Sequence, residues 1–512
     1  MFNFSAILER NRERWPDREV IVHGGRRIDN RTLSDRVNAL ARGLKELGIG
    51  RGEVVALLLY NCPEFLEATF AANKLGAVWL PLNYRLAAAE WQYILGHSGA
   101  RVIVTEPEFA PLIDAIAGEL PELQHRVLLG ADADRPWMAF ETLVEPYRGE
   151  RVPDAEVGEH DLQRLMYTSG TTARPKGVMI TYGNLLWKNV SHILEFGITS
   201  SDRTLVAGPL YHVGGMDLPA SAVLYAGGSL VLLRKFEARE TLAAIQAEGV
   251  TNLWLAPAMV NMILQLPDLE SYDTRSVRFI INGGEKMPIP LIQRILRAFP
   301  NAWFSDAYGL TETVSGDTFM DREHVISKIG SVGKPVLHLG VRIVDEEGRE
   351  VPPNQLGEVV LRGPKVFKGY WRDPEATAAA IRDGWFHTGD IGRIDEDGYL
   401  YIEDRKKDLI ISGGENIASS EVERALYEHP EVLEAAVIGI PDPRWGEVPK
   451  AFVVLRSGSG VTAQDLVEHC RQRLARFKVP RQVEFIDALP RNPSGKVLKR
   501  ELRERTSAVG TG

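Results

Sequence analysis

The feature that most constrains this chain is an alternation of short apolar runs with amphipathic stretches over its first four hundred residues. From Thr32, read as a helix cap, Leu33, Val37, Leu40, Ala41, Leu44 and Leu47 recur at helical spacing until Gly48 stops the pattern. An apolar run at 54–60 follows, then a helical stretch at 64–75 and a second apolar run at 78–82. Further runs at 101–104, 230–233, 253–255 and 279–281 are bounded by Gly or Pro and separated by helical patterns. Strand, helix, strand is the rhythm of a wound α/β sheet, and no fixed-period repeat points to a solenoid or propeller.

Past residue 400 the texture changes. The charge cluster 403–408 leads into a short run at 409–412 and the pair Gly413, Gly414. A helix at 420–427, strands at 432–440 and 451–455, a helix at 462–476 and a strand at 483–486 then read as a separate α+β unit joined by a charged connector. At 512 residues, with 44% hydrophobic and 25% charged, the chain is long enough for a large and a small domain and ordinary enough to exclude disorder or coiled coil as global descriptions. The net charge of −9, with neither sign concentrated, argues against a nucleic-acid partner. Two cysteines, Cys62 and Cys470, suit a reducing compartment and read as core residues. No apolar run approaches the ~20 residues of a membrane span, and the N-terminus lacks the apolar core of a signal peptide. A cytoplasmic location is therefore expected, and the final Thr511-Gly512 is no peroxisomal address.

The segment 167–178, YTSGTTARPKGV, carries the strongest chemical signal. Phosphate oxygens want backbone N–H groups, hydroxyls and an ammonium at close range, and Thr168, Ser169, Gly170, Thr171, Thr172 and Lys176 supply them. Pro175 stands where a Walker A loop requires glycine. Further motifs follow in order: LYHVGG at 210–215, NGGE at 282–285, DAYGLTET at 306–313, WFHTGD at 385–390, DRKKDLIISGGENI at 404–417 and PRNPSGK at 490–496.

This ordered set, spanning almost the whole chain, resembles the adenylate-forming superfamily, which includes acyl-CoA synthetases, adenylation domains of peptide synthetases and firefly luciferase. The resemblance implies a large multi-layer α/β N-terminal domain, residues 1–404, and a small mobile α+β C-terminal domain, residues 405–512. It also implies two half-reactions. A carboxylate attacks the α-phosphate of ATP to give acyl-AMP and pyrophosphate, and a thiol, by default that of coenzyme A, then displaces AMP. Attack by an anion on a polyanion needs charge neutralisation more than covalent help.

By the same resemblance, Glu312 matches the Mg²⁺ ligand, Thr311 the hydroxyl that meets the α-phosphate, and Tyr308 the face on which adenine stacks. Gly283, Gly284, Glu285, Asp306 and Ala307 would wall the base, Asp390 would take the ribose hydroxyls, and Arg405 would reach ribose or phosphate. Lys496 resembles the lysine that bridges the substrate carboxylate and the α-phosphate in the adenylation transition state. Lys407 occupies the hinge position about which the small domain would swing to exchange Lys496 for the Gly413-Gly414 segment, and His212 the mouth of the acyl site.

Two positions depart from the family pattern. Ala173 replaces a phosphate-loop glycine, narrowing backbone freedom there, and Ala418, Ser419 and Ser420 follow GGENI where Tyr-Pro is frequent. The acyl pocket implied by the resemblance is lined by small residues, Gly214, Gly215, Ser315 and Gly316 with Ala307 and Val314. Small linings leave room, so an open tunnel for a medium or long fatty acyl chain is expected ahead of a hydroxycinnamate or other aryl acid. The expected partners are thus a small carboxylic acid, ATP and coenzyme A. An enzyme that loads a carrier protein is the alternative acceptor reading, although the insertion associated with fatty acyl-AMP ligases is not evident at 333–371. The oligomeric state, monomer or homodimer, and contact with a membrane surface stay open.

Overall fold

A computed structural model describes residues 2–130, 137–168, 174–284, 287–405, 408–412, 415–491 and 496–509. Most of the expected elements form close to the expected places. The first long helix runs Asn30–Glu46, and its cap is Asp29, whose carboxylate accepts from the Thr32 N–H at 2.7 Å. The expected cap at Thr32 is therefore displaced by three residues, because an extended Asp is the better acceptor for that N–H. Pro63 starts the next helix, Pro63–Leu75, which ends on left-handed Gly76.

The large part of the chain contains two wound sheets. One has the order 138–139, 125–128, 100–105, 54–58, 78–81, 162–168, 176–181, parallel except for its last pair. The other runs 334–335, 318–319, 303–308, 279–282, 252–255, 203–206, 229–232, 19–23, 26–29, parallel in its centre and antiparallel at both edges. Central strands such as Val54–Leu58 and Phe279–Asn282 are buried throughout, which accounts for their continuous apolar runs.

The sequence reading gave no account of a third, antiparallel sheet built from 340–344, 357–362, 381–382, 385–394 and 400–405. In it Asp390 faces Arg405 across the register. The C-terminal sheet begins at Ile410–Ser412 and pairs 415–417, 410–412, 446–455 and 432–442, with 482–485 added on the strand 446–455. Its helix Ala463–Arg471 is capped by Thr462 and is shorter than expected, and a further helix, Lys499–Val509, was not read from the sequence. Cys62 and Cys470 are buried free thiols. No helix among the described residues is long and apolar enough to cross a membrane.

Candidate active site

The candidate residues gather beyond the carboxyl ends of the parallel strands, where open α/β sheets leave a crevice. The strand Leu162–Thr168 leads into the phosphate segment, Phe279–Asn282 into Gly283, and Trp303–Tyr308 into the turn carrying Thr311 and Glu312. A Cβ at Gly283 would lie 3.1 Å from the Ala307 carbonyl oxygen, and Gly284 adopts φ 104°. Glycine suits both positions, Gly283 because a side chain would crowd that carbonyl and Gly284 because its backbone is left-handed.

Two polar contacts organise the rest of this end. The Tyr308 hydroxyl donates to Asp390 Oδ2 at 2.6 Å, both side chains being buried. Asp390 is held in turn by its own N–H donating to Thr388 Oγ1, whose hydroxyl donates to Val359 O. The Tyr370 hydroxyl donates to Glu312 Oε1 at 3.0 Å, and the Lys176 ammonium lies 5.0 Å from the centre of the same tyrosine ring. Asn282 donates to Asp306 at 2.7 Å, fixing that carboxylate at the ends of the two paired strands.

Behind Glu312 the backbone is strained. Val314, Ser315 and Gly316 adopt φ of 58°, 62° and 63°, and a β-branched residue in that region is a marked outlier. Buried Lys365 holds the segment, donating to Ser315 O at 2.8 Å and Gly316 O at 2.6 Å and pairing with Asp317 at 2.9 Å. Lys365 and Tyr370 were missed because each acts across some fifty residues of sequence, and neither sits in a local pattern that marks it.

His212 caps the short helix Val213–Asp217, its Nδ1 accepting from the Gly214 N–H at 3.0 Å, so its proton sits on Nε2. Burial, with the Lys496 charge nearby, lowers its pKa to about 4. The ring is therefore neutral at physiological pH. The loop that carries Lys496 is closed at its base by an antiparallel bridge between Arg491 and Val497 and by the Leu498 N–H donating to Pro490 O at 2.8 Å.

On the acyl side, other groups stand close beside three of the small residues. A Cβ at Gly214 would lie 2.5 Å from the Trp254 ring, and one at Gly316 would lie 2.5 Å from the His192 ring. Gly215 packs on the Pro209 carbonyl, 2.2 Å from where its Cβ would stand. Ser315 turns its carbonyl to Lys365. At these glycines the place of a side chain is taken by two large rings and by close backbone packing. Ser169, Gly170, Thr171, Thr172, Ala173, Glu285, Lys407, Gly413 and Gly414 lie outside the described residues, as does the Arg405 side chain.

The model of the AMP-binding enzyme family matches residues 8–371, and that of the AMP-binding enzyme C-terminal domain matches residues 421–496. The chain belongs to the AMP-binding enzyme family. It is 43% identical over 491 residues to a feruloyl-CoA synthase of an Amycolatopsis species, covering 96% of each chain. It is 39% identical over 492 residues to the long-chain-fatty-acid–CoA ligase FadD13 of Mycobacterium tuberculosis, covering 94% of each. Among solved structures, the anthranilate CoA ligase AuaEII in complex with anthranoyl-AMP superposes with a TM-score of 0.94 at 31% identity, covering 100% of this chain and 98% of that one. The adenylate-forming fold, with its large and small parts, is thereby that of the chain.

Proposed function

We propose that this chain activates an aromatic carboxylic acid of the hydroxycinnamate or arylcarboxylate kind as its acyl-adenylate and passes the acyl group to coenzyme A. The class, an AMP-forming acid–thiol ligase that uses ATP, Mg²⁺ and coenzyme A, is that of its family; the acid is the proposal. The observation that carries it is the filling of the acyl side by flat rings. Trp254 lies across Gly208 and Gly214 with its ring centre 6.0 Å from that of His212 and inclined at 33°. Such walls suit a planar acid better than a flexible chain. The resemblance to a feruloyl-CoA synthase and the fold match to an anthranilate CoA ligase support the same reading over the fatty-acid expectation.

In this reading the adenine lies beside Gly283 and Ala307 against Tyr308, and Asp390, oriented by the Tyr308 hydroxyl, accepts from the ribose. Glu312 is a hard oxygen donor held by Tyr370, and no group of three metal-ligating side chains stands among the described residues. That donor set fits Mg²⁺, which takes most of its ligands from phosphate and water, and which when bound would neutralise charge on the phosphates. Lys176 and Lys496 place positive charge on either side of the α-phosphate while the acid's carboxylate attacks it and pyrophosphate leaves. Neutral His212 can donate from Nε2 without competing for the carboxylate as a cation. The thiol of coenzyme A then attacks the acyl carbon and AMP departs. We place the domain boundary just after the strand Leu400–Arg405, with Lys407 as hinge and the 413–414 segment as the surface offered to the thiol step.

The test is pyrophosphate release with MgATP and a panel from acetate through palmitate to cinnamate, anthranilate and ferulate, each with and without coenzyme A. Turnover that requires coenzyme A, with an aromatic thioester seen by mass, is expected. Turnover indifferent to coenzyme A would point to an acyl-AMP ligase.

A further inference from the structure

Among the described residues, the buried nitrogens His192 Nδ1 and Trp254 Nε1, both beside the implied acyl lining, have no hydrogen-bond partner. His192 is fully buried on the helix Tyr182–Phe196, and its Nε2–H donates to the Gly316 carbonyl at 3.1 Å. That bond fixes the tautomer, so Nδ1 is an acceptor, and no hydrogen-bond partner meets it. Trp254 is 7% exposed, and its Nε1–H likewise has no partner. The neighbouring cations are committed elsewhere. Lys188 donates to Asp217 O and Ser221 Oγ, and Lys365 donates to the carbonyls of Ser315 and Gly316.

Both rings lie at the implied acyl lining. Each ring is seated on a glycine of the implied acyl lining, Trp254 on Gly214 and His192 on Gly316. His192 packs edge-on against Phe319 at 5.0 Å, and Phe319 shares an apolar cluster with Trp254, Phe196 and Ala307. A buried acceptor and a buried donor left unpaired are costly unless a ligand meets them. Burial beside Lys188 and Lys365 keeps the imidazole neutral, and so able to accept.

We infer that His192 and Trp254 are specificity-determining residues that read polar substituents on the ring of the acid. His192 Nδ1 accepts from a ring hydroxyl, and the Trp254 indole N–H donates to a neighbouring ring oxygen. The inference rests on the aromatic reading above and deepens it: the preferred acid carries at least one free phenolic hydroxyl.

The experiment measures kcat/KM for cinnamate, 4-hydroxycinnamate, 4-methoxycinnamate, 4-hydroxy-3-methoxycinnamate and palmitate with the intact enzyme and with His192→Phe, His192→Asn and Trp254→Phe. A site built to bond a substrate hydroxyl discriminates strongly against its absence, so the intact enzyme should favour 4-hydroxy- over 4-methoxycinnamate by at least about 10-fold. His192→Phe should bring that ratio to within about 3-fold, and His192→Asn, which restores an acceptor near the Nδ1 position, should recover part of it. Trp254→Phe should lower the preference for acids with two ring oxygens over the 4-hydroxy acid. An intact enzyme that turns over aromatic acids with no preference for the hydroxyl overturns the inference without any variant, and leaves the aromatic reading standing. A preference that survives both His192→Phe and Trp254→Phe overturns it too. Palmitate faster than every aromatic acid overturns the aromatic reading, and the inference falls with it.

Discussion

At the proposed nucleotide end, Tyr308 donates to Asp390 and Tyr370 to Glu312, so hydroxyls and carboxylates orient one another before any substrate arrives. At the acyl end, His192 and Trp254 each keep a buried nitrogen that finds no hydrogen-bond partner. The contrast fits what each end is proposed to bind. A nucleotide presents fixed polar groups, and preset donors and acceptors meet it without reorganisation. An acid that is flat and mostly apolar needs a fitted cavity, with selectivity coming from the few polar atoms held back for it.

The strongest way to break this comparison is to remove the Lys496 charge proposed to act where the two ends meet. Lys496→Ala should slow acyl-AMP formation by about 10²–10³-fold, the size seen when one stabiliser of developing charge is lost. Thioester formation from synthetic acyl-AMP should fall far less. Equal losses in both half-reactions, read by pyrophosphate release and by thioester mass, would contradict the assignment of Lys496 to the first step.

Protonation of His212 gives a test at the junction of the two ends. Its folded pKa of about 4 lies below the ordinary 6.5, so an unfolded chain takes up a proton that the folded ring refuses. Stability is therefore lost as pH falls from 6.5 towards 4, by up to about 3 kcal/mol. His212→Gln should flatten that acid limb in thermal melts, and Lys496→Ala should raise the imidazole pKa in an NMR titration. An unchanged titration would remove Lys496 from the neighbourhood of the ring.

The acyl end is sharpened by overfilling it. Gly214→Ala puts a methyl 2.5 Å from the Trp254 ring, and overpacking of this kind costs about 1–3 kcal/mol. Aromatic-acid turnover should fall with it, and trimming Trp254 to Val in the same chain should relieve the loss of stability. The smallest effect belongs to the nucleotide end. Tyr308→Phe removes one hydrogen bond to a carboxylate while keeping the ring, and should raise KM for ATP about 10-fold with a smaller change in kcat. A change in acid preference from this variant would break the separation of the two ends.

The residues proposed for the nucleotide end could be picked out in the sequence because they lie in contiguous motifs. Asp306, Tyr308, Thr311 and Glu312 come from one stretch of eight residues, and Asp390 from another. The strands were legible for a different reason: burial on both faces makes them continuous apolar runs. The acyl end was read backwards. Gly214 and Gly316 looked like room for a chain, but a glycine reports only what its own side chain leaves empty, and Trp254 and His192 enter that space from 40 and 124 residues away in sequence. Lys365 was invisible for the same reason, since its three partners, Ser315, Gly316 and Asp317, become neighbours only once the third sheet has folded.

The account stands most directly on a competition. Equimolar ferulate and palmitate are supplied in one tube with MgATP and limiting coenzyme A, and the two thioesters are counted by mass at early time. The account predicts feruloyl-CoA in excess by at least ten-fold; palmitoyl-CoA in excess would contradict it.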